Sequence, residues 1–348
     1  MIMFRKVGQR FGACLRAAVA MVCVALAVAP AHALDHTQLA VIINTADPLS
    51  VQIGDYYAAQ RRISFQNLIR VELPPGKTDL TREEFAAFKT EVDARTLPRV
   101  QAYALTWAAP YRVECMSITS ALAFGFDPAS CSGVCKPTPL SRYFNSNSAL
   151  PYTQLKIRPT MAIAATTFEY AKELIDRGVA ADGTFPAGTA YLLSTSDKDR
   201  NVRSPSYPLA EQLIRGRLFG RTMKQNAVKY ATDVLFYFTG VGFVDGLETL
   251  RFVPGAMADH LTSAGGFLTD SAQMSSLRWL EAGATGSYGT VVEPCNLPQK
   301  FPSPPIAIGH YLRGDTLIEA YWKSVLMPWQ GIFIGEPLAA PFRKTEAR

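Results

Sequence analysis

The sequence predicts an α/β protein built on a mainly parallel sheet with helices on its faces, and three observations predict it. Short β-branched apolar runs alternate with longer amphipathic stretches, the pattern of strand and crossover helix. The residues just after these runs are turn and cap formers such as Asn44, Asp47 and Ser50. At 348 residues, 48% hydrophobic and 18% charged, the chain can bury one large core or two packed α/β halves.

Residues 1–33 have the order of a cleavable export signal: basic Arg5, Lys6, Arg10 and Arg16, an apolar run over 17–28, then Pro30-Ala31-His32-Ala33. The run is roughly a dozen residues, short of the ~20 that span a bilayer. Cleavage is expected between Ala33 and Leu34, giving a periplasmic or secreted protein with no later membrane span. The alternative is an uncleaved anchor; Cys14 and Cys23 lack the flanking residues of a lipoprotein site. Four of the 35 Lys and Arg leave with the leader, so 31 basic residues face 29 acidic ones, a net charge of +2. Such a balance, with no dense basic run, excludes nucleic acid as a partner.

Along the mature chain, 39–43 reads as the first strand and the stretch through Asp55-Tyr56-Tyr57 as a helix. Residues 68–73 form the next strand, broken by Pro74-Pro75-Gly76. Thr81-Arg82-Glu83-Glu84 is a capping box opening a helix with Phe85 and Phe88 on its inner face. A strand over 100–105 follows, and from 108 to 159 the pattern weakens into a loop-rich excursion. It resumes with helix 167–177, strand 189–193, helix 209–229 and strands 234–238 and 255–261. Helix 274–282, strand 285–291, helix 316–325 and the run Ile332-Phe333-Ile334 complete it. The division is thus an N-terminal α/β half over 34–159, a C-terminal half over 160–342 and a flexible tail over 343–348.

Cys115, Cys131, Cys135 and Cys295 remain after leader removal, an even count that favours disulfides in an oxidising compartment. The spacing of Cys131 and Cys135 suggests that these two pair and that Cys115 pairs with Cys295; the crossed connectivities stay open. A metal knuckle needs a second close Cys or His pair, which the sequence lacks. No metal or other cofactor is expected.

Ligands of open α/β sheets bind beyond the carboxyl ends of the strands. The polar residues there, Asn44, Asp47, Trp107, Arg112, Asp197, Arg200 and Arg203, are candidates for one cleft, with the arginines suited to a carboxylate. Ordinary loop and cap roles compete with that reading. The glycines of Thr239-Gly240-Val241-Gly242 do not open onto a helix, which argues against a nucleotide cradle. Only His36, His260 and His310 remain as histidines, which narrows acid–base chemistry. His260 sits beside Asp259 and shortly before Ser263, where a strand meets Ala264-Gly265-Gly266; it serves either catalysis or a buried hydrogen bond.

Several segments together resemble an uncharacterised family of exported bacterial proteins. They are Asn44-Thr45-Ala46-Asp47-Pro48-Leu49-Ser50, Leu105-Thr106-Trp107-Ala108-Ala109-Pro110-Tyr111-Arg112-Val113, the 194–203 loop and the 258–266 stretch. The pattern continues in Gly286-Ser287-Tyr288-Gly289-Thr290-Val291-Val292-Glu293-Pro294-Cys295 and in Ile334-Gly335-Glu336-Pro337-Leu338. More distantly the C-terminal half resembles gingipain-type cysteine peptidases of caspase-like fold, which implies a three-layer arrangement. In those peptidases one strand ends in a catalytic His-Gly and the next in a catalytic Cys. Here Thr239-Gly240 stands at the first position and Thr262 or Ser263 at the second.

The resemblance therefore implies a caspase-like scaffold without the dyad, a pseudo-peptidase binding a peptide, glycan or cell-surface partner. Asp259 and Glu293 join the cleft on that reading. The rival is a hydrolase with a relocated site: Ser263 or Cys115 as nucleophile, His260 as base, and Asp259 or Glu293 orienting it.

Overall fold

The structure, a computed structural model, describes residues 33–344 apart from 132 and 134. Nearly all of the expected leader and the last four residues of the tail lie outside the described residues.

The first strand, β1 (Leu39–Asn44), is buried along its whole length. The Asp47 carboxylate then accepts a hydrogen bond from Leu49 N, and α1 (Pro48–Arg61) begins with proline, whose missing N–H is harmless in a first turn. Next come β2 (Leu68–Val71) and β3 (Asp79–Leu80). Helix α2 (Arg82–Arg95) starts on the predicted capping box: Thr81 and Glu84 exchange side-chain and backbone hydrogen bonds. It buries Phe85, Phe88 and Val92, and β4 (Ala102–Leu105) follows.

The excursion is less irregular than its sequence implies. Strands β5 (Arg112–Val113) and β6 (Met116–Ser117) form a small sheet with β3, and α3 (Ile118–Phe124) and α4 (Pro151–Leu155) come after. The rest of the chain is β7 (Thr160–Ala162), α5 (Phe168–Ala181), β8 (Thr189–Leu193), α6 (Tyr207–Ile214) and β9 (Phe219–Met223). Then come β10 (Val234–Thr239), β11 (Phe252–His260), α7 (Leu277–Glu281) and β12 (Gly286–Thr290). Helices α8 (Pro304–Leu312) and α9 (Leu317–Ser324) lead into β13 (Gly331–Gly335).

Among the described residues ten strands form one sheet in the order β2-β1-β4-β7-β13-β12-β11-β10-β8-β9. Strands β2, β1, β4 and β7 pair in parallel, and so do β12, β11, β10, β8 and β9. The last strand, β13, lies between the two sets, antiparallel to β12. The carboxyl ends of β4 and β12 open on the same edge: Arg112 Nη1 reaches the Val291 carbonyl at 3.4 Å, and Tyr111 Oη donates to Asp270 at 2.6 Å. Helices α1, α5 and α7 pack in series on one face, and α6, α8 and α9 on the other. The result is the predicted mainly parallel sheet between helical layers.

Three expectations are corrected. The helix expected over 209–229 stops at Ile214, because Gly216 turns the chain at φ 79° and 219–223 becomes a strand hydrogen-bonded to β8. The helix expected over 274–282 contracts to five residues. The disulfides are Cys115–Cys131 and Cys135–Cys295, with Cα separations of 5.4 and 5.0 Å, one of the crossed connectivities. The positive φ of Gly133 (133°) and Cys135 (65°) turns the chain between the two close cysteines, and each reaches a partner outside the loop.

Candidate functional site

Adjacent residues on a strand point to opposite faces, and β11 uses this to separate two groups that the sequence places side by side. Asp259 turns to the α6 and α9 side and meets Arg203 at 2.6 Å, both buried. The contact lies off hydrogen-bond alignment, so among the described residues both Asp259 oxygens and Arg203 Nε lack aligned partners, while Arg203 Nη2 donates to Thr239 O and Nη1 to Pro302 O. Burial pushes the Asp259 pKa up to about 6, against the pull of Arg203.

His260 turns to the other face, under α7. Trp279 Nε1 donates to its Nδ1 at 2.9 Å, and because an indole nitrogen only donates, Nδ1 is the acceptor and the proton sits on Nε2. That Nε2 donates in turn to Met274 O at 2.9 Å. Burial lowers its pKa to about 4. Both nitrogens are therefore engaged in a neutral ring. Asp259 does not orient it, and Cys115 is a disulfide partner rather than a thiol. The structure does not bring Cys115, His260 and Asp259 together as a hydrolytic set.

What the carboxyl edge does present is a cleft of about 490 Å³ lined by Asp199, Arg200, Leu261, Thr262, Ser263 and the 293–297 loop, with Cys135 at its wall. Each wall has a local cause. The loop after β8 folds on itself: Asp197 caps Arg200 N and pairs with its guanidinium at 2.9 Å, and Asn201 Oδ1 accepts from Thr195 N. It crosses the end of β10 at Gly240, where a Cβ would collide with the Arg200 carbonyl. The turn after β11 lies flat on Gly289 of β12, where a Cβ would strike the Gly265 carbonyl carbon. Thr262 Oγ1 donates to Gln273 and accepts from Arg200 Nε, and the Cys135–Cys295 bond ties the third wall to the excursion. Glu293 caps Cys295 N with Oε1 at 2.8 Å.

Of the predicted site residues, Arg200, Ser263 and Glu293 line this cleft, and Asp197 positions Arg200. The others serve the frame. Asn44 is buried and bonds Ala46 N and both the N and O of Leu73; Asp47 caps α1; the buried Trp107 donates to Pro110 O. Arg112 pairs with Asp79 and lies over the Phe267 ring at 5.0 Å. Arg203 and Asp259 are buried and are not among the residues that line the cleft. Asp199 and Asn296, in contact at 3.3 Å across the opening, are lining residues that carry no distinctive motif.

Among the described residues no group of three or more His, Cys, Asp or Glu is placed to hold a metal ion, and no helix is long and apolar enough to cross a membrane. No family model matches the sequence, and no curated protein does. Solved structures do. One, described as a protease, has a TM-score of 0.49 at 10% identity over 88% of this chain and 79% of its own. Another, the complex of the pro- and mature domains of RgpB from Porphyromonas gingivalis, has a TM-score of 0.44 at 10% identity over 87% of this chain and 79% of its own.

Proposed function

We propose that this is an exported, processed binding protein, a peptidase-like α/β scaffold that holds a ligand in its strand-end cleft without cutting it. The observation that carries the reading is the state of His260: with Nδ1 accepting from Trp279 and Nε2 donating to Met274, it offers no basic nitrogen to a nucleophile. The Ser263 hydroxyl lines the cleft but is left at its ordinary, weakly nucleophilic reactivity. Carboxylates from Asp199 and Glu293 and the guanidinium of Arg200 face one opening, a mixed polar lining that suits a peptide. A glycan or a cell-surface partner is the other ligand class.

The test uses residues 34–348 on peptide and glycan arrays, beside Arg200→Ala/Glu293→Ala and Ser263→Ala variants. Expected are retained peptides lost in the double variant and kept in Ser263→Ala, with no turnover of protein, ester or glycoside substrates. Turnover that disappears in Ser263→Ala overturns the reading in favour of a hydrolase.

A further inference from the structure

The residue expected to open the mature chain is held on every side. The Leu34 side chain is fully buried in the main core, and its carbonyl accepts from Arg343 Nη2 at 2.6 Å. Its nitrogen donates to Glu319 Oε2 at 3.0 Å, a contact between residues 285 positions apart.

Glu319 is itself fully buried, three residues into α9 from its cap. Oε2 also accepts from Thr316 N at 3.0 Å and Thr316 Oγ1 at 2.7 Å, closing the capping box. Oε1 has no hydrogen-bond partner among the described residues. Lys323 Nζ stands 3.8 Å from Oε1 but only 2.8 Å from Asp315, to which it is committed. His310 Nδ1 also meets Asp315, at 2.6 Å, and burial lowers the His310 pKa, which favours the neutral ring. Among the described residues Asp315 and Glu319 share the one Lys323 ammonium, and burial raises the Glu319 pKa, as expected of a buried carboxylate without a matched cation.

We infer that the α-ammonium of Leu34 is the counter-ion of Glu319, so that processing between Ala33 and Leu34 completes the buried charge cluster. The inference rests on the export and processing part of the proposed function. In the cleavage, performed by a leader peptidase, the oxygen of one water goes to the Ala33 carbonyl carbon and both its hydrogens to the Leu34 nitrogen. The products are a carboxylate on the leader and an ammonium on the mature chain. The nitrogen already bonded to Oε2 thus gains a unit charge and two further donors beside the unsatisfied Oε1. Retaining even one upstream residue leaves a neutral amide in that place.

Two chains test it, one beginning at Leu34 and one that keeps Ala33, each with Glu319 and with Glu319→Gln. The Ala33-retaining chain is expected to melt at least about 3 °C lower, and the difference is expected to vanish in the Glu319→Gln pair. Equal midpoints in the native background, or an undiminished difference in the Glu319→Gln background, overturn the inference. Should Glu319→Gln fail to fold, an Nα-acetylated chain beginning at Leu34 replaces it. It must lose the same stability, and a full midpoint after acetylation sinks the idea. Separately, the first residue of the exported protein is read by N-terminal sequencing. Leu34 supports processing there. Any other residue refutes the processing, while the midpoints still decide whether Glu319 recognises an ammonium.

Discussion

Asp259 and His260 are neighbours in sequence whose responses to pH oppose each other. The folded pKa of His260, about 4, lies below that of the free side chain. Its contribution is fully present above about pH 6.5 and is lost as pH falls through the folded value, with a slope between the two of about 1.4 kcal/mol per pH step of one. The folded pKa of Asp259, about 6, lies above the free value, so the unfolded chain loses its proton first and stability falls as pH rises towards 6. Over pH 4–6 the two slopes partly cancel. Thermal melts at pH 4.5 and 7 check this: relative to wild type, His260→Gln is expected to gain stability on acidification and Asp259→Asn to lose it. If both variants follow the wild-type profile, the assignment of these slopes is wrong. The cleft was only partly legible from sequence for the same reason. Polar residues after strands mark an edge, but which of them line an opening depends on alternation and on neighbouring turns. Arg203 sits three residues from Arg200 in a polar loop, and nothing in that spacing says that one is sealed and the other lines the cleft.

Elements with a strong local signal emerged as read. Strand β8 has the expected bounds, the capping box of α2 forms, and α9 begins on the Thr316 and Glu319 pair at the expected start. Where the sequence misleads, a local signal is weak or ambiguous. Strand β7 is only three residues long and fully buried, too short to show a period. Helix α8 begins with Pro304-Pro305, which reads as a break, although proline in a first turn removes only donors without a helical acceptor. Strand β9 belongs to the sheet because β8 supplies its partner carbonyls and amides, which its own residues do not announce. At this scale the packing of the β11 turn on β12 is testable. Gly289→Ala places a methyl against the Gly265 carbonyl and is expected to cost about 1–3 kcal/mol and to abolish ligand retention by moving Ser263. Unchanged denaturation midpoint and binding would show that the turn has room to shift.

Across the whole molecule the two disulfides close loops of very different size, with sequence separations of 16 and 160. Chain-entropy reasoning assigns about 3 kcal/mol to a loop of the first size and nearly 5, roughly, to one beyond a hundred residues. Cys135→Ser/Cys295→Ser is therefore expected to lose more stability in guanidinium than Cys115→Ser/Cys131→Ser, and it alone to weaken the cleft, whose wall it releases. The reverse order would mean that native-state strain, not loop closure, governs both bonds. The position of β13 has a consequence in time as well as in space. The last strand among the described residues is a central one, inserted between β7 and β12, and its end is clamped by Glu336 to Arg61 of α1. Until β13 is made the two sets of parallel strands have no seam to join them. A chain made N-terminus first therefore cannot close this sheet until β13 has been synthesised, and before then each half-sheet keeps an open edge.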